Sequence, residues 1–247
     1  MVLAVHFVFA EDENKKDKTV KGYVFEDEIV IPATPIKDQY RTGTCWSFSG
    51  LSFLESEMLR LGNHEVALSE MFIVWHTYLA KARKHVRVHG NLSFSAGGAF
   101  HDVTNMISKF GIVPESVYNG LKYGEEKHVH GEMDRVLLQH IDAVIENKNR
   151  KLSTVWNEAM EATLNSYLGE IPQKFEYEGK QFTPQSFASD FVSLNMDDYV
   201  EISSYTHHPF YSKFILEVPD NWSWDEMYNV PINELEEIID YSLKNSF

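Results

Sequence analysis

The sequence predicts a mixed α+β fold in which helices dominate and strands are few. Hydrophobic residues make up 43% of the 247 residues and aromatic residues 13%, which is enough apolar material for one large buried core. Apolar residues recur at spacings of three and four along most of the first two thirds of the chain, as they do in amphipathic helices. Residues 199–218 are richer in Tyr, Val, Ile and Phe, a composition typical of strands.

The periodicity places the helices in order along the chain. They are predicted to cover Cys45 to Leu61, Ser69 to about Val86, about Gly98 to Phe110, two stretches within residues 131–168, and residues 231–244. Gly62 and Gly111 follow the first and third helices, where glycine commonly ends a helix. The last helix carries Pro231 in its first turn. Its apolar stripe is expected to face the core, through Leu235, Ile238, Ile239 and Leu243.

The charge balance excludes two classes of partner. With 37 acidic and 22 basic residues the net charge is -15. A field of that sign repels phosphate backbones and anionic lipid, so we predict no nucleic-acid partner and no membrane partner. No apolar run reaches the roughly 20 residues that a membrane-spanning helix needs.

The N-terminal residues allow two interpretations. Residues 1–10 are apolar except for His6, and residues 11–18 are entirely charged or polar. This pattern fits either the remnant of a secretory signal peptide with a polar linker to residue 20, or a buried first strand. The signal interpretation favours a secreted or periplasmic location slightly over a cytoplasmic one. Residues 21–247 show no convincing internal boundary and are predicted to form one domain.

Cys45, the single cysteine of the chain, stands at the predicted start of a helix. Backbone N–H groups and the helix dipole favour a thiolate at such a position. Gly43 lets the backbone turn closely beside it, and the side-chain amide of Gln39 lies six residues upstream, where it could donate to an oxyanion. The alternative is that a lone cysteine is simply a small buried hydrophobe.

The local sequence favours a catalytic cysteine. Residues 39–48, QYRTGTCWSF, resemble the nucleophile segment of papain-like cysteine peptidases, and residues 43–46, GTCW, are similar to the bleomycin hydrolase and aminopeptidase C branch. Three further segments resemble that family in the same order: Leu68-Ser69-Glu70, Gly97-Gly98 and residues 111–118. The resemblance spans about residues 30–247. It implies a papain-like peptidase domain, of which this chain holds mainly the helical half with the nucleophile helix.

The resemblance also implies a function and a set of site residues. Cys45 is expected to be the nucleophile that forms a thioester, with Gln39 and the backbone N–H of Cys45 as oxyanion donors. Gly97 and Gly98 are expected to line the substrate cleft. The implied substrate is a peptide, the implied cleavage is aminopeptidase-like, and a homo-oligomeric ring is one implied assembly. We predict no cofactor and no metal.

A papain-like mechanism also requires a histidine base and an asparagine that orients it. We expect His128, His130 and His140 to be solvated, while His207 and His208 lie far enough along the chain to be considered, with Asn221 as a partner. The family's glycine-rich segment after the asparagine is absent, and residues 206–247 resemble the part that precedes the catalytic histidine. The domain is therefore expected to be incomplete at its C-terminus, and a pseudo-peptidase that only binds peptide is the alternative.

A metal-binding helical protein is a second alternative. His85 and His89 are four residues apart on a predicted helix, a spacing that can chelate zinc. No glutamate lies between them to complete an H-E-x-x-H arrangement, and basic residues surround them. This stretch is better interpreted as a solvated or partner-facing surface.

Overall fold

The computed structural model describes Tyr23, residues 25–149 and residues 151–245, so the two interpretations of residues 1–20 lie outside the described residues. The chain divides into two units, Met1–Val30 and Ile31–Phe247. All candidate functional residues belong to the second unit. No helix among the described residues is both long and apolar enough to cross a bilayer.

The second unit is mainly helical, with two small sheets near its C-terminal end. Its elements follow in the order α1 (Cys45–Arg60), α2 (Glu70–Arg87), α3 (Phe100–Phe110), α4 (Gly131–Ile145), α5 (Trp156–Leu168), β1 (Phe175–Tyr177), β2 (Lys180–Phe182), α6 (Pro184–Phe187), a π-helical turn (Ala188–Val192), a 3-10 turn (Met196–Asp198), β3 (Ile202–Ser203), β4 (Ser212–Ile215), β5 (Glu226–Asn229) and α7 (Ile232–Lys244). The observed α+β architecture confirms the predicted class.

The helix ends agree with the sequence signals. Ser69 caps α2, because its hydroxyl oxygen accepts a hydrogen bond from the backbone N–H of Phe72 at 3.1 Å. Gly62 takes a φ of +75° just after α1, and Gly111 takes a φ of +81° at the end of α3. The third helix begins at Phe100, two residues later than expected, since the backbone of Ala99 before it is extended.

The core is built around α2, which contacts α1, α3, α4 and α5. Phe72 and Ile73 of α2 are completely buried, as are Leu54 of α1 and Leu164 of α5. Burying one such side chain contributes about 1.5–3 kcal/mol. This packing fixes the positions of α1 and α2, which carry the groups of the candidate site.

The strands are short. β1 and β2 form an antiparallel hairpin whose turn residues, Glu178 and Gly179, have φ values of +49° and +75°, as a two-residue hairpin turn requires. In the second sheet β5 lies between β3, to which it is parallel, and β4, to which it is antiparallel. The strand-rich segment at residues 199–218 was predicted and contains β3 and β4; the other three strands were missed.

The expectation that the apolar stripe of α7 faces the core was wrong. Among the described residues of this helix none is buried, and Ile238, Ile239 and Leu243 are 36%, 53% and 42% exposed. The periodicity predicted the helix correctly, because amphipathic spacing specifies a helix. It does not specify what covers the apolar face, and the described part of the chain leaves this face open to solvent.

Candidate active site

Cys45 is exposed and is the first residue of α1. The N-cap residue, Thr44, does not cap the helix with its side chain; its hydroxyl donates instead to Oγ1 of Thr42 at 2.7 Å. The first backbone N–H groups of α1 therefore have no side-chain cap, and they lie beside the thiol with the positive end of the helix dipole. Among the described residues no side chain hydrogen-bonds to the thiol of Cys45.

The turn that leads into α1 depends on Gly43. Its φ is +66°, in the left-handed region that favours glycine. A Cβ at this position would stand 2.9 Å from Cβ of Ala96, closer than two carbon atoms normally approach. The loop before Cys45 can therefore lie directly against the segment around Ala96 only because residue 43 has no side chain.

The two predicted cleft glycines lie next to the start of α1. The indole N–H of Trp46 donates to the carbonyl oxygen of Ala96 at 2.9 Å. A Cβ on Gly98 would stand 2.8 Å from Cε2 of Trp46 and 2.7 Å from Oδ2 of Asp102. The structure thus brings the segment of Gly97 and Gly98 against the residue that follows Cys45.

Lys81 on α2 supports this segment. The sequence analysis assigned the basic stretch that contains it to a solvated or partner-facing surface, and for Lys81 this was wrong. It is only 2% exposed, and its ammonium group donates to the carbonyl oxygens of Ser95 and Gly97 at 2.8 and 2.5 Å. Burial lowers its pKa to about 8, although the carboxylates of Asp102 and Asp220 oppose that shift. Its spacing within the apolar stripe of α2, three residues after Tyr78, is the signal that could have identified it.

Asp220 and Trp222 also lie beside this segment. Asp102 is completely buried, and its Oδ2 accepts hydrogen bonds from the indole N–H of Trp222 at 3.0 Å and from the backbone N–H of Ala99 at 2.9 Å. Burial raises the pKa of Asp102. The carboxylate of Asp220 lies where a Cβ on Gly97 would project. Gly97 is therefore covered by an acidic side chain in this structure.

Gln39 is half-buried, and its Oε1 is shielded from solvent without a hydrogen-bond partner among the described residues. The backbone before it is anchored by Lys37. The ammonium group of Lys37 donates to the carboxylates of Glu55 and Glu70 at 3.1 and 2.7 Å, and to the carbonyl oxygen of Leu68 at 2.9 Å. These contacts fix the approach of the Gln39 segment to α1 and α2.

The expectation that His128 and His130 are solvated was wrong. His130 is completely buried and His128 is half-buried, and burial lowers the pKa of both, that of His130 to about 4. Their strand-like segment pairs with the nucleophile loop: Arg41 N–H donates to the carbonyl oxygen of His128, and His130 N–H donates to that of Arg41, each at 3.0 Å. His140 is partly exposed.

His208 and Asn221, considered above as a catalytic pair, are hydrogen-bonded to other groups. The amide of Asn221 donates to the carbonyl oxygens of Leu216 and Asp225 and accepts from the N–H of Asp225, at 2.9–3.1 Å. The ring of His208 instead lies 3.3 Å from the carboxylate of Glu217. Asn221 therefore shapes its own turn.

The pair of His85 and His89 does not form a shared site either. His85 is buried, and its Nδ1 lies 2.7 Å from the carbonyl oxygen of Leu92. His89 is exposed in the turn after α2. Neither ring is therefore placed to chelate one ion with the other.

Comparison with known proteins decides the family. Residues 3–246 match the Peptidase C1-like family. The chain belongs to this family. Among curated members, aminopeptidase G from Lactobacillus delbrueckii subsp. lactis is 24% identical over 263 aligned positions, which cover 90% of this chain and 59% of that protein. Aminopeptidase C from Streptococcus thermophilus is 21% identical over 232 positions, covering 77% of this chain and 50% of that protein.

The fold of this C1-like chain is also similar to a solved structure. The crystal structure of PepW from Lactobacillus rhamnosis HN001 superimposes with a TM-score of 0.69 at 20% identity, covering 90% of this chain and 59% of PepW. The predicted papain-like fold and the resemblance to the aminopeptidase C branch are confirmed. The chain spans about half to three fifths of the length of the relatives it matches.

Proposed function

We propose that this protein is a cysteine peptidase with aminopeptidase-like specificity and that Cys45 is its nucleophile. The observation that carries the proposal is the position of the thiol, which is exposed on the first residue of α1, at a helix start without a side-chain cap. Membership of the Peptidase C1-like family supports peptidase activity, and the names of the two curated relatives support the aminopeptidase-like specificity.

The proposed reaction begins with attack of the Cys45 thiolate on a peptide carbonyl carbon. A C–S bond forms, and the carbonyl oxygen takes up the electron pair. The backbone N–H of Cys45 and the side-chain amide of Gln39 would donate to this oxyanion; a donor of this kind contributes roughly 3–4 kcal/mol in the transition state. The C–N bond then breaks, the amine leaves with a proton, and water hydrolyses the thioester to release the acid and the thiol.

Proton transfer to the leaving amine needs a general acid. None of the described histidines hydrogen-bonds to the thiol, and His208 and Asn221 are engaged elsewhere. We propose that the histidine and asparagine of the active enzyme come from outside the described residues.

The substrate would bind in extended form beside Gly97 and Gly98. The missing side chain of Gly98 makes room for Trp46 and Asp102. That of Gly97 makes room for the Asp220 carboxylate, which a bound peptide would displace. The position of these glycines against Trp46, the neighbour of the proposed nucleophile, supports this assignment. A homo-oligomeric assembly belongs to the same proposal and can be tested by light scattering of the purified protein.

The second candidate function is peptide binding without hydrolysis. It is favoured by the absence of an imidazole bonded to the thiol among the described residues. One experiment separates the two functions: peptides with a free N-terminus are incubated with the wild-type protein and with Cys45→Ser, while amine release and peptide affinity are both measured. Hydrolysis that Cys45→Ser abolishes supports the peptidase. Binding without hydrolysis in both proteins supports the second function, and neither binding nor hydrolysis would contradict both.

A further inference from the structure

We propose that His207, His208 and Glu217 form a binding site for a divalent transition-metal ion, Zn²⁺ in the first place. Each of these residues offers one ligand atom, and the three ligand atoms all lie within 4.8 Å of one another. The site is independent of the peptidase proposal, because it uses none of the groups assigned there.

The geometry already fits a small ion for two of the three ligands. Nε2 of His208 and Oε2 of Glu217 are 3.3 Å apart. Zinc binds imidazole nitrogen at about 2.0–2.1 Å and carboxylate oxygen at about 2.0–2.2 Å, so two ligands of a tetrahedral ion stand about 3.3–3.5 Å from each other. The ring of His207 lies beside that of His208, with 4.3 Å between centroids, and is exposed, so a change of side-chain rotamer can bring it to the same ion.

The backbone that carries the two histidines is held by a buried side chain. Asn229 of β5 is completely buried, and its Nδ2 donates to the carbonyl oxygens of Tyr205, His208 and Pro209 at 2.9, 3.1 and 3.2 Å. Its Oδ1 accepts from the N–H of Tyr205 at 2.8 Å. One side chain therefore fixes both ends of the loop in which the histidines lie.

The third ligand, Glu217, is connected to β5 through the neighbouring strand β4. Glu217 follows β4, and β4 pairs with β5 in a register that sets Ser212 opposite Asn229. The histidine loop and the segment of Glu217 are thus both held by β5, so few backbone residues would have to become ordered when a metal ion binds.

Aromatic side chains orient the rings. His208 stacks on Phe214 with 4.1 Å between ring centroids and an angle of 26°. Tyr205 contacts both His207 and Phe214, at 5.5 and 5.9 Å between centroids. An imidazole held in this way keeps Nε2 directed at Glu217, and the stacking lowers the entropy lost when an ion binds.

The donor set selects the class of ion. Two imidazoles and one carboxylate suit Zn²⁺ and related transition metals, whereas Ca²⁺ and Mg²⁺ prefer sites made of oxygen ligands. Three protein ligands also leave one position of a tetrahedral ion for water or for a group from another molecule. The competing explanation is a plain hydrogen-bonded pair of His208 and Glu217.

The test is titration of the untagged protein with Zn²⁺, followed by calorimetry, and with Co²⁺, followed by its visible absorption. A Cys45→Ser background removes the only thiolate as a competing ligand. We expect one Zn²⁺ per chain and the intense visible bands of tetrahedral Co²⁺. His207→Ala, His208→Ala and Glu217→Gln should each weaken binding by more than about 10-fold, since even outer-shell partners of zinc sites contribute about 10–100-fold.

The matched control is His89→Asn, which removes an exposed histidine whose φ of +52° asparagine tolerates. It should leave Zn²⁺ affinity unchanged, and circular dichroism should show that all variants remain folded. The proposal is overturned if the wild-type protein binds no Zn²⁺, if His89→Asn alone removes binding, or if folded His207→Ala and His208→Ala variants bind as tightly as the parent. Each of the last two results would place the ion elsewhere.

Discussion

Trp46 donates its indole N–H to the carbonyl oxygen of Ala96, fifty residues further along the chain, at 2.9 Å. This bond ties the second residue of α1 to the segment that continues into Gly97 and Gly98. Lys81 holds the same segment through two further carbonyl groups. The thiol and the adjacent glycines therefore belong to one rigid arrangement, even though they come from different parts of the sequence.

The two glycines should respond differently to an added methyl group. Gly98→Ala forces a Cβ to within 2.9 Å of the buried indole of Trp46 and of Asp102, so we expect a loss of about 1–3 kcal/mol in the free energy of unfolding. In Gly97→Ala the obstacle is the exposed, flexible side chain of Asp220, which can move away, so a smaller loss is expected. Urea unfolding of both variants measures the difference; an equal loss in both would contradict this account.

Gln39 should matter for the rate of catalysis more than for binding. On the proposed mechanism its amide meets an oxyanion that exists only in the transition state, so Gln39→Ala should lower kcat by about 10²–10³-fold with little change in KM. Steady-state kinetics of the active enzyme provide the measurement. A rise in KM at constant kcat would show that Gln39 binds the ground state instead.

Mild acid should destabilise the fold through buried neutral histidines. Burial lowers the pKa of His130 from 6.5 to about 4 and that of His76 to about 3, so at these two groups the unfolded chain binds more protons than the folded one below pH 6.5. These two histidines should therefore lower the free energy of unfolding as the pH decreases from about 6.5 to 4, by up to about 1.4 kcal/mol per pH unit for each group. Glu70, whose pKa burial raises to about 7, contributes with the opposite sign, so the contribution of each histidine is measured by comparing variants.

Relative to the wild-type protein, the free energy of unfolding of His130→Gln should fall less as the pH decreases from about 6.5 to 4, whatever the substitution does to stability at neutral pH. His64→Gln, which changes an exposed histidine, is the matched control and should leave this pH dependence unchanged. Denaturant unfolding at several pH values measures the effect. An identical pH dependence in His130→Gln would show that His130 does not carry the coupling.

Truncation of a buried apolar side chain should lower the free energy of unfolding much more than truncation of an exposed one. Leu54 of α1 is completely buried, so Leu54→Ala should lower the free energy of unfolding by about 2–5 kcal/mol. Ile239 of α7 is 53% exposed, and Ile239→Ala should change it by no more than about 0.5 kcal/mol. Thermal and urea unfolding of the two variants test the pair. A large loss in Ile239→Ala would mean that α7 is covered in solution.

The sequence predicted most helices because their apolar periodicity is long, and Ser69, Gly62 and Gly111 mark their ends with local chemistry. It missed β1, β2 and β5 because strands of three or four residues are too short to show a period. The sequence analysis also predicted that the apolar face of α7 points into the core, because periodicity identifies an apolar face but not what covers it.

At the candidate site, local sequence patterns and the family resemblance singled out Cys45, Gln39, Gly97 and Gly98, whose roles stay predictions. What the patterns could not supply was contact across long sequence separation. The support that Lys81 and Trp222 give to the glycine segment depends on how α2, α3 and the C-terminal turns pack together. The burial of His130 depends likewise on its pairing with the loop at Arg41.

The carboxylate of Asp220 occupies the space beside Gly97 in the proposed cleft. A peptide cannot lie along Gly97 until Asp220 rotates away, and an exposed side chain makes such a rotation in picoseconds to nanoseconds. In the proposed cleft, Asp220 would therefore select ligands by their charge without slowing their entry. A ligand that brings an ammonium group to this point gains an ionic partner as it displaces the carboxylate, whereas an acidic one meets repulsion.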